Sequence, residues 1–526
     1  MSEKPEAFMR GTDALAWHLE KDPALHSTVV SITWLDRTPD FDVLAARLEA
    51  ATQMARRFRQ RPVEPPARLA PPRWVDVDFD ISLHLHQFDS PLPHTAATVL
   101  DFARLQTMRA FDLSRPLWEF TLIGHLIGDR AALVMKIHHS LTDGIGGMQL
   151  ARLLFDVGEE PAPMDHDQVA QEPHPAPGTV GLIRESLAYE WSRTFDTIRR
   201  GLVTTVPLVA RIAKHPSGSA SDALATVRSI GRFVAPVPDT LSPIMTDRSL
   251  DRHLDMIAVD LDDLKRAAGS VGGSVNDGFI ASVTAGLHRY HERHGAPVEE
   301  LRMTLPISVR KEDDPAGGNR ITLERFKVPM AVLDEGERVR LMGQRCRLAR
   351  DDRAQPLSNA IASVLALLPT SVIGTMLKHI DFVASNVPGA DVPIFLAGAR
   401  VSGHYVFGPT TGTAVNATLL SYDGTCCIGL TIDTAAVPDP AVLVECLREG
   451  FEAVLDLAGD HRPVEEPLQA AEHGALISEA SGTIRGASER GHPTRGPEDR
   501  PDPGHDLSAS GGEEVTFDSP QCPGRG

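Results

Sequence analysis

Cysteine is scarce in this chain of 526 residues, and the few cysteines present are not arranged for metal binding. None of the five stands in a CxxC pair or at a Cys/His spacing typical of zinc, and an odd number does not suggest a disulfide framework. The cysteines are Cys346, Cys426, Cys427, Cys446 and Cys522. We therefore expect a protein of the reducing cytoplasm that holds no metal.

Long apolar runs are also missing. The most apolar stretch, residues 360–377, is broken by Pro369 and contains Ser and Thr, so it predicts a pair of buried helices rather than a membrane span. The first six residues, Met-Ser-Glu-Lys-Pro-Glu, lack the basic start and apolar core of a secretory signal. We expect a cytoplasmic protein, and peripheral contact with the inner membrane face or with lipid inclusions stays open.

Basic residues are outnumbered, with 52 Lys and Arg against 71 Asp and Glu, for a formal net charge of -19. Nucleic-acid phosphates favour proteins with an excess of basic residues, so a nucleic-acid partner is not expected. The apolar fraction of 42% is enough for sizeable hydrophobic cores. At this length, two domains with additional segments are expected rather than one domain.

Four segments follow from the composition and the apolar periodicity. Residues 1–163 mix strand and helix patterns, and residues 164–250 read as a Pro-rich connector followed by a helical crossover. Residues 251–462 again mix strands and helices. Residues 463–526 are rich in Pro, Gly, Ser and Glu, so we expect a disordered tail whose removal leaves activity intact. The two mixed segments predict an α/β protein.

The crossover contains apolar residues at helical spacing and arginines on the other side of the same helix. The apolar residues are Leu187, Trp191, Phe195, Ile198 and Leu202, and the arginines are Arg184, Arg193, Arg199 and Arg200. A basic amphipathic helix binds anionic membrane surfaces. A crossover helix packed on the body, with a solvated basic side, has the same pattern. Both interpretations stay open.

A predicted β-hairpin leads into a histidine motif. Residues 118–123 and 131–137 are β-rich, and Gly128-Asp129 between them is a turn signal. The second strand runs into His138-His139-Ser-Leu-Thr-Asp143-Gly144. This position, where a strand meets a turn and a helix, is typical of functional groups carried on a rigid scaffold.

Imidazole suits the transfer of an acyl group to an alcohol. An alcohol attacks a thioester poorly until a base removes its proton, and a histidine with a pKa of about 6.5 is a competent base near neutral pH. The base then returns the proton to the departing thiolate, so no covalent acyl-enzyme is needed. Alternation along the strand sends His138 and His139 to opposite faces, so we expect different roles for them.

The other two motif residues, Asp143 and Gly144, have candidate roles in shaping the loop. Asp143 could orient a histidine, or it could hold the loop through a buried ion pair, with Arg310 as one candidate partner. Gly144 is expected to provide a backbone conformation or a close approach that a Cβ would forbid.

A second candidate site begins at the start of a predicted helix. Ser274 is expected to cap a helix that ends at Gly295. Asn276 could hydrogen-bond substrate or the histidine loop, or it could satisfy backbone groups at the helix N-terminus. Strands are predicted at residues 256–261, 301–307, 399–406 and 427–432.

Several motifs occur in one order along the chain. They are Ser114-Arg115-Pro116-Leu117-Trp118-Glu119, the His138-to-Gly144 block, Val275-Asn276-Asp277, Leu305-Pro306-Ile307-Ser308-Val309-Arg310, Gly318-Asn319, Ser385-Asn386-Val387-Pro388-Gly389 and Ser421-Tyr422-Asp423-Gly424. Together they resemble the bacterial wax ester synthase/diacylglycerol acyltransferase family, part of the larger group of HHxxxDG acyltransferases. The resemblance runs from about residue 10 to residue 458.

The resemblance implies a two-lobed α/β fold like that of chloramphenicol acetyltransferase. Each lobe would contain a mixed sheet with helices, and a substrate tunnel would run between the lobes to the histidine. Acyl-CoA would be the cosubstrate, diacylglycerol or a long-chain alcohol the acceptor, and no cofactor is implied. His139 would be the base, with His138 and Asp143 shaping the site and Asn276 contributing to activity. The predicted substrate-binding residues are Gly144, Asp277, Ser385 and Asn386.

The chain departs from the family pattern at three places, which bear on substrate preference. They are Arg10-Gly11-Thr12-Asp13 near the N-terminus, Gly146-Gly147 after the histidine block, and Ala390-Asp391 after the Ser-Asn-Val-Pro block. The Pro116-Leu117-Trp118 block is interpreted as packing, with no partner expected for the indole N–H.

Three other functions compete with this interpretation. The spacing His138-x-x-x-x-Asp143 also fits the HxxxxD motif of membrane glycerophospholipid acyltransferases. A condensation-type acyltransferase with another acceptor is closer in motif content. A lipid-binding protein with an inactive site is the non-enzymatic alternative. An assay with acyl-CoA and both acceptors separates them.

Overall fold

The structure is a computed structural model that describes residues 7–141, 151–160, 178, 180–189, 237–308, 321–332, 334–350, 365 and 369–464. Several sequence predictions lie outside these residues. They concern Asp143, Gly144, Arg310, most of the crossover and the tail beyond Val464.

Fourteen strands occur in the described part of the chain. They are β1 (Thr28–Leu35), β2 (Gln60–Val63), β3 (Arg73–Asp76), β4 (Leu85–Asp89), β5 (Trp118–Leu126), β6 (Arg130–His138), β7 (Arg252–Asp260), β8 (Glu300–Ser308), β9 (Ile321–Pro329), β10 (Phe382–Val387), β11 (Phe395–Leu396), β12 (Ala399–Phe407), β13 (Val415–Tyr422) and β14 (Thr425–Asp433). They form two six-stranded sheets and one two-stranded ribbon of β2 and β3.

Eight longer helices accompany them in the same residues. They are α1 (Gly11–Leu19), α2 (Phe41–Met54), α3 (Ala96–Met108), α4 (Leu261–Ser270), α5 (Val275–Arg293), α6 (Glu335–Arg350), α7 (Thr370–Leu377) and α8 (Pro440–Leu455). Residues 180–189 are also helical. None of the helices in the described residues is long and apolar enough to cross a membrane.

Both sheets are mixed, as predicted. In the order β11-β12-β1-β6-β5-β4 the first sheet is antiparallel except for the parallel pair β4 and β5. In the order β7-β14-β13-β10-β8-β9 the second sheet has β10 parallel to both of its neighbours. Each sheet buries its own apolar cluster, and Leu254, Met256, Tyr422 and Cys427 of the second sheet belong to the first cluster. The two lobes therefore share an apolar boundary.

The predicted hairpin is confirmed. Strands β5 and β6 pair antiparallel, and the turn between them places Gly128 at a φ of 77° and Asp129 at 58°. Glycine and aspartate tolerate this left-handed region better than most residues do. The predicted helix after Ser274 is also confirmed, because Ser274 caps α5.

One segment crosses between the lobes, and the sequence did not predict it. Strands β11 and β12 lie within the predicted second lobe of residues 251–462, yet β12 pairs with β1 of the first sheet, Val30 opposite Phe407. Strands β11 and β12, from the sequence of the second lobe, therefore complete one edge of the first sheet. The periodicity of a strand gives its buried face but not its partner, so the boundary drawn from sequence missed this exchange.

Helices α5 and α8 cross at glycines in the second lobe. A Cβ built on Gly286 would lie 2.5 Å from the Cα of Leu447, and one on Gly450 would lie 2.4 Å from the carbonyl oxygen of Ser282. These contacts are with backbone, which cannot move aside as a flexible side chain can. The two helices therefore pack at a distance that only glycine permits.

Replacing Gly286 by Ala should destabilise the protein by about 1–3 kcal/mol, because the new methyl group overpacks the helix crossing. Chemical denaturation measures the change in the free energy of unfolding. The matched control is Gly269→Ala in α4, where a Cβ would meet no atom within 4 Å. Equal stability of the Gly286 variant and wild type would contradict the close-packing account.

Residues 461–464 are bound to the body of the second lobe. The backbone N–H of Arg462 donates to Asp263, and that of Val464 donates to Glu452 at 2.8 Å.

A truncation that tests the predicted disordered tail should therefore keep Val464 and remove residues 465–526. We expect this truncation to leave the thermal unfolding midpoint and acyl-transfer rate within error of the full chain. Loss of folding on truncation would show that the tail contributes to the core.

Candidate active site

The two histidines of the motif lie in different surroundings at the end of β6. Strand β6 ends at His138, which is fully buried, and His139 lies half-buried in the turn that follows. Because His139 lies in the turn and not on the strand, strand alternation does not fix the direction of its side chain, and the different roles of the two histidines stay a prediction. Asp143 and Gly144 lie outside the described residues, so their roles remain predictions.

Backbone hydrogen bonds fix the turn that carries His139. Its N–H donates to the carbonyl oxygen of Ser27 at 2.9 Å, and the N–H of Leu141 donates to the carbonyl oxygen of His138 at 2.9 Å. In the pairing of β1 with β6, Thr28 lies opposite His138. The position of His139 is therefore tied to the start of β1.

The ring of His138 is held from both ends. Its Nδ1 accepts the backbone N–H of Ser140 at 3.1 Å and lies 2.6 Å from the Oγ of Ser140. A nitrogen that accepts an N–H cannot carry a proton itself, so in the neutral ring the hydrogen is on Nε2. Nε2 lies 3.1 Å from Oε1 of Glu20, without the alignment of a full hydrogen bond.

Glu20 is the site residue that sequence analysis missed. Its Oε1 accepts the backbone N–H of Ser27 at 2.5 Å, and its Oε2 lies 3.9 Å from Nε2 of His26. Burial by itself raises the pKa of Glu20, but its contacts with His138, His26 and the Ser27 N–H together lower the pKa below the ordinary glutamate value. A carboxylate is therefore kept ionised behind the catalytic turn.

Aromatic rings and a buried cation join His138 and Glu20 in a buried wall behind the turn that carries His139. Trp17 and Phe111 both meet His138 edge-on, with ring centres 6.2 and 6.0 Å away. The ammonium nitrogen of Lys136 lies 4.3 Å from the centre of the Phe111 ring. Burial lowers the pKa of Lys136 to about 8, with Glu119 and Glu20 opposing the shift and Arg109 adding to it.

A small cleft of about 40 Å³ opens between the lobes beside this wall. The first lobe contributes Thr28, Thr107 and Met108, and the second contributes Arg252, Pro409 and Thr431. Because Thr28 is the residue paired with His138, the cleft borders the strand ends that lead to the motif. The substrate tunnel itself stays a prediction.

Two asparagines of the second lobe lie together. The Nδ2 of Asn386 is 3.4 Å from Oδ1 of Asn276, and the Nδ2 of Asn276 is 3.8 Å from the sulfur of Cys346. Asn386 is exposed, and Ser385 beside it is half-buried on β10. Asn276 thus contacts the Ser-Asn-Val-Pro block, which the sequence did not predict, and substrate binding by these residues stays a prediction.

Asp277 is placed differently from these asparagines. Its carboxylate accepts the backbone N–H of Ser274 at 2.9 Å, while the hydroxyl of Ser274 accepts the N–H of Asp277, which together make a capping box. The side chain is buried. This contact gives Asp277 a structural role at the start of α5, and its contact with substrate stays a prediction.

Trp118 packs as predicted, but its indole has a partner that was not expected. It is fully buried against Phe58 and Phe120, and its Nε1–H donates to the carbonyl oxygen of Phe58 at 2.9 Å. The block Pro116-Leu117-Trp118 therefore anchors the hairpin that presents the histidines. Within the described residues, no group of His, Cys, Asp and Glu side chains is arranged to hold a metal ion.

Comparison with known proteins agrees with this geometry. Residues 9–279 match the wax ester synthase/diacylglycerol acyltransferase catalytic domain, and residues 317–454 match the C-terminal domain of the same family. A putative diacylglycerol O-acyltransferase of Mycobacterium tuberculosis is 32% identical over 88% of this chain and 94% of its own length. The chain belongs to the wax ester synthase/diacylglycerol acyltransferase family. A second putative diacylglycerol O-acyltransferase of that organism is 26% identical over 79% of this chain and 82% of its own.

Solved structures confirm the fold. The wax ester synthase/diacylglycerol acyltransferase from Marinobacter aquaeolei VT8 superimposes with a TM-score of 0.57 at 22% identity, covering 86% of this chain and 100% of its own. The starter condensation domain of rhizomide synthetase, solved with C8-CoA and Leu-SNAC, superimposes with a TM-score of 0.54 at 12% identity. The match covers 86% of this chain and 94% of that domain. The predicted family, two-lobed fold and acyl-CoA-dependent acyltransferase activity are therefore confirmed. The glycerophospholipid acyltransferase interpretation is wrong.

The ionised state of Glu20 should make stability depend on pH. Because the folded-state pKa of Glu20 is lowered, its contribution is fully present above the unfolded value, about 4.3, and is lost as pH falls through the folded value. Wild type should exceed Glu20→Gln in free energy of unfolding by about 1–2 kcal/mol near neutral pH. Denaturation at a series of pH values should show this difference shrinking below about pH 4. A difference that does not change with pH would contradict the assignment.

Proposed function

We propose that the protein transfers a long-chain acyl group from acyl-CoA to diacylglycerol, giving triacylglycerol, and that a long-chain alcohol is the second acceptor. The observation that carries this proposal is the half-buried His139, held on a restrained turn against Ser27, whose neighbour Thr28 lines the cleft between the lobes. Family membership and the names of the mycobacterial relatives support the acceptor class.

The proposed mechanism needs one base and no covalent enzyme intermediate. His139 takes the proton of the acceptor hydroxyl as its oxygen attacks the thioester carbon. The new acyl C–O bond forms, the C–S bond breaks, and the proton on His139 passes to the coenzyme A thiolate. The products are the ester and free coenzyme A, and neutral His139 is restored.

Neighbouring residues would support this step without taking the proton. Neutral His138 keeps its hydrogen on Nε2 and so holds Ser140 through Nδ1. Asn276 and Asn386 would provide amide groups to substrate from the second lobe, since each retains bonding capacity beyond their long mutual contact. Asp143 and Gly144 would shape the turn, and Ser385 would contact substrate beside Asn386.

We further propose that the protein works as a peripheral protein at a lipid surface. Residues 180–189 form a helix whose Leu182 and Ser186 are buried and whose Glu185 pairs with Arg73 at 2.8 Å, so this part of the crossover is packed on the body. Its outer side exposes Val180 at 82%, Leu187 at 56% and Arg184, so Leu187 and Arg184 share one side of the helix, although the sequence pattern predicted opposite sides. An apolar and basic outer side suits contact with anionic lipid.

The test is an acyl-transfer assay with a long-chain acyl-CoA and either diacylglycerol or a long-chain alcohol. Wild type should release coenzyme A and form triacylglycerol, with wax ester as the smaller product. His139→Ala should lower the rate by a factor of about 10²–10⁴, the usual contribution of a general base. His86→Ala, on an exposed position of β4, is the matched control and should keep the wild-type rate.

Each alternative predicts a different outcome of this assay. Near-wild-type turnover by His139→Ala would refute His139 as the base. Turnover of acyl-CoA with another acceptor alone would favour the condensation-type acyltransferase. Binding of acyl chains with no turnover on any acceptor would favour the lipid-binding alternative.

A further inference from the structure

A single carboxylate oxygen behind the active site has two separate protein partners. Oε1 of Glu20 accepts the backbone N–H of Ser27 at 2.5 Å and lies 3.1 Å from Nε2 of His138. Glu20 follows the last residue of α1, and its side chain is only 12% exposed. A buried carboxylate is costly unless such contacts compensate for its lost hydration.

Both partners of Glu20 lead to His139, by different routes. Ser27 uses its carbonyl oxygen to accept the N–H of His139 at 2.9 Å. His138 uses its Nδ1 to accept the N–H of Ser140 at 3.1 Å. The first bond fixes the peptide group before the Cα of His139, and the second fixes the peptide group after it. The two routes therefore restrain the backbone on either side of His139.

We propose that Glu20 is a positioning residue of the acyl-transfer site, holding His139 in place from both sides through Ser27 and His138. The inference rests on the proposed function, because it concerns the geometry of the residue that acts as base there. Misplacement of a catalytic group by about 1 Å costs on the order of a hundredfold in rate.

Imidazole nitrogens and a buried ammonium group around Glu20 favour its ionised state. His138 faces its Oε1 from β6, and His26 faces its Oε2 from the loop before β1. Lys136, two residues before His138 on the same strand, adds a buried positive charge that interacts with Glu20. A carboxylate makes stronger hydrogen bonds to N–H groups than a neutral amide does, so the negative charge strengthens the bond from Ser27 and attracts the Nε2–H of His138.

The decisive comparison uses two substitutions at Glu20 and a matched control. Glu20→Ala removes both contacts, whereas Glu20→Gln keeps an oxygen that can accept both N–H groups without the charge. Glu64 is the control, because it anchors the same end of α1 by accepting from Nε1 of Trp17 at 3.1 Å and pairing with Lys21 at 2.7 Å. The pKa of Glu64 is also lowered, against the effect of burial, chiefly by Lys21 and Trp17.

The expected pattern separates positioning from general stabilisation. In steady-state assays with acyl-CoA and diacylglycerol, Glu20→Ala should lower kcat about a hundredfold with KM changed less than about threefold, because substrate contacts are intact. The kcat of Glu20→Gln should be only about tenfold lower than that of wild type. Glu64→Ala should keep the wild-type kcat.

Hydrogen exchange gives a second measurement that does not depend on turnover. The backbone N–H groups of His139 and Ser140 should exchange at least about tenfold faster in Glu20→Ala than in wild type, because the restraint on local opening is weakened. Glu64→Ala should leave exchange in the peptide covering residues 135–141 unchanged. If Glu20→Ala does not fold, the same measurements on Glu20→Gln decide, with a smaller change in the same direction.

The results that would overturn the inference differ from those that would overturn the function. Wild-type kcat in Glu20→Ala, or unchanged exchange at His139 and Ser140, refutes the positioning role of Glu20. Equal losses in Glu20→Ala and Glu64→Ala also refute it, because they would reflect loss of the α1 end in general. If the wild type transfers no acyl group but exchange still responds to Glu20 alone, the proposed function fails and the structural restraint stands.

Discussion

The antiparallel pairing of β1 with β6 is the constraint on which the site depends. It sets Thr28 opposite His138, so the residue before Thr28 meets the turn that carries His139. A shift of this register by one residue would turn His138 away from Glu20 and its buried wall. The Trp118 indole donates to the backbone of Phe58 and so anchors β5, the strand that pairs with the other edge of β6. Packing far from the reacting atoms thus decides where the base lies.

Electrostatics and packing act together around the two histidines. The buried ring of His138 links the neutral backbone of Ser140 to the charged side chain of Glu20, and rings of Trp17 and Phe111 exclude water from that link. The low polarity of this region strengthens each hydrogen bond there. It also raises the free-energy cost of a buried polar group that lacks a hydrogen-bond partner. The half-buried His139 is left to meet substrate while its neighbour fixes the turn.

Sequence alone predicted the parts of the fold that are local. The hairpin was visible from Gly128-Asp129 between two β-rich runs, and α5 from its cap at Ser274. Glu20 was not visible, because its partner His138 is distant in sequence and a glutamate at a helix end has no distinguishing pattern. Asp277 was assigned to substrate from its motif, whereas reciprocal capping explains its position. The exchange of β12 into the first sheet was missed for the same physical reason, since a pairing partner is a long-range property.

That exchanged strand has a consequence for any attempt to separate the lobes. Strand β12 covers the side of β1 that faces away from β6. A fragment ending before β11 would leave the N–H and C=O groups along that side of β1 without partners. Open strand edges of this kind pair readily with other chains and promote aggregation. The first lobe is therefore not an independent folding unit, and the chain must be synthesised past Phe407 before its sheet can close.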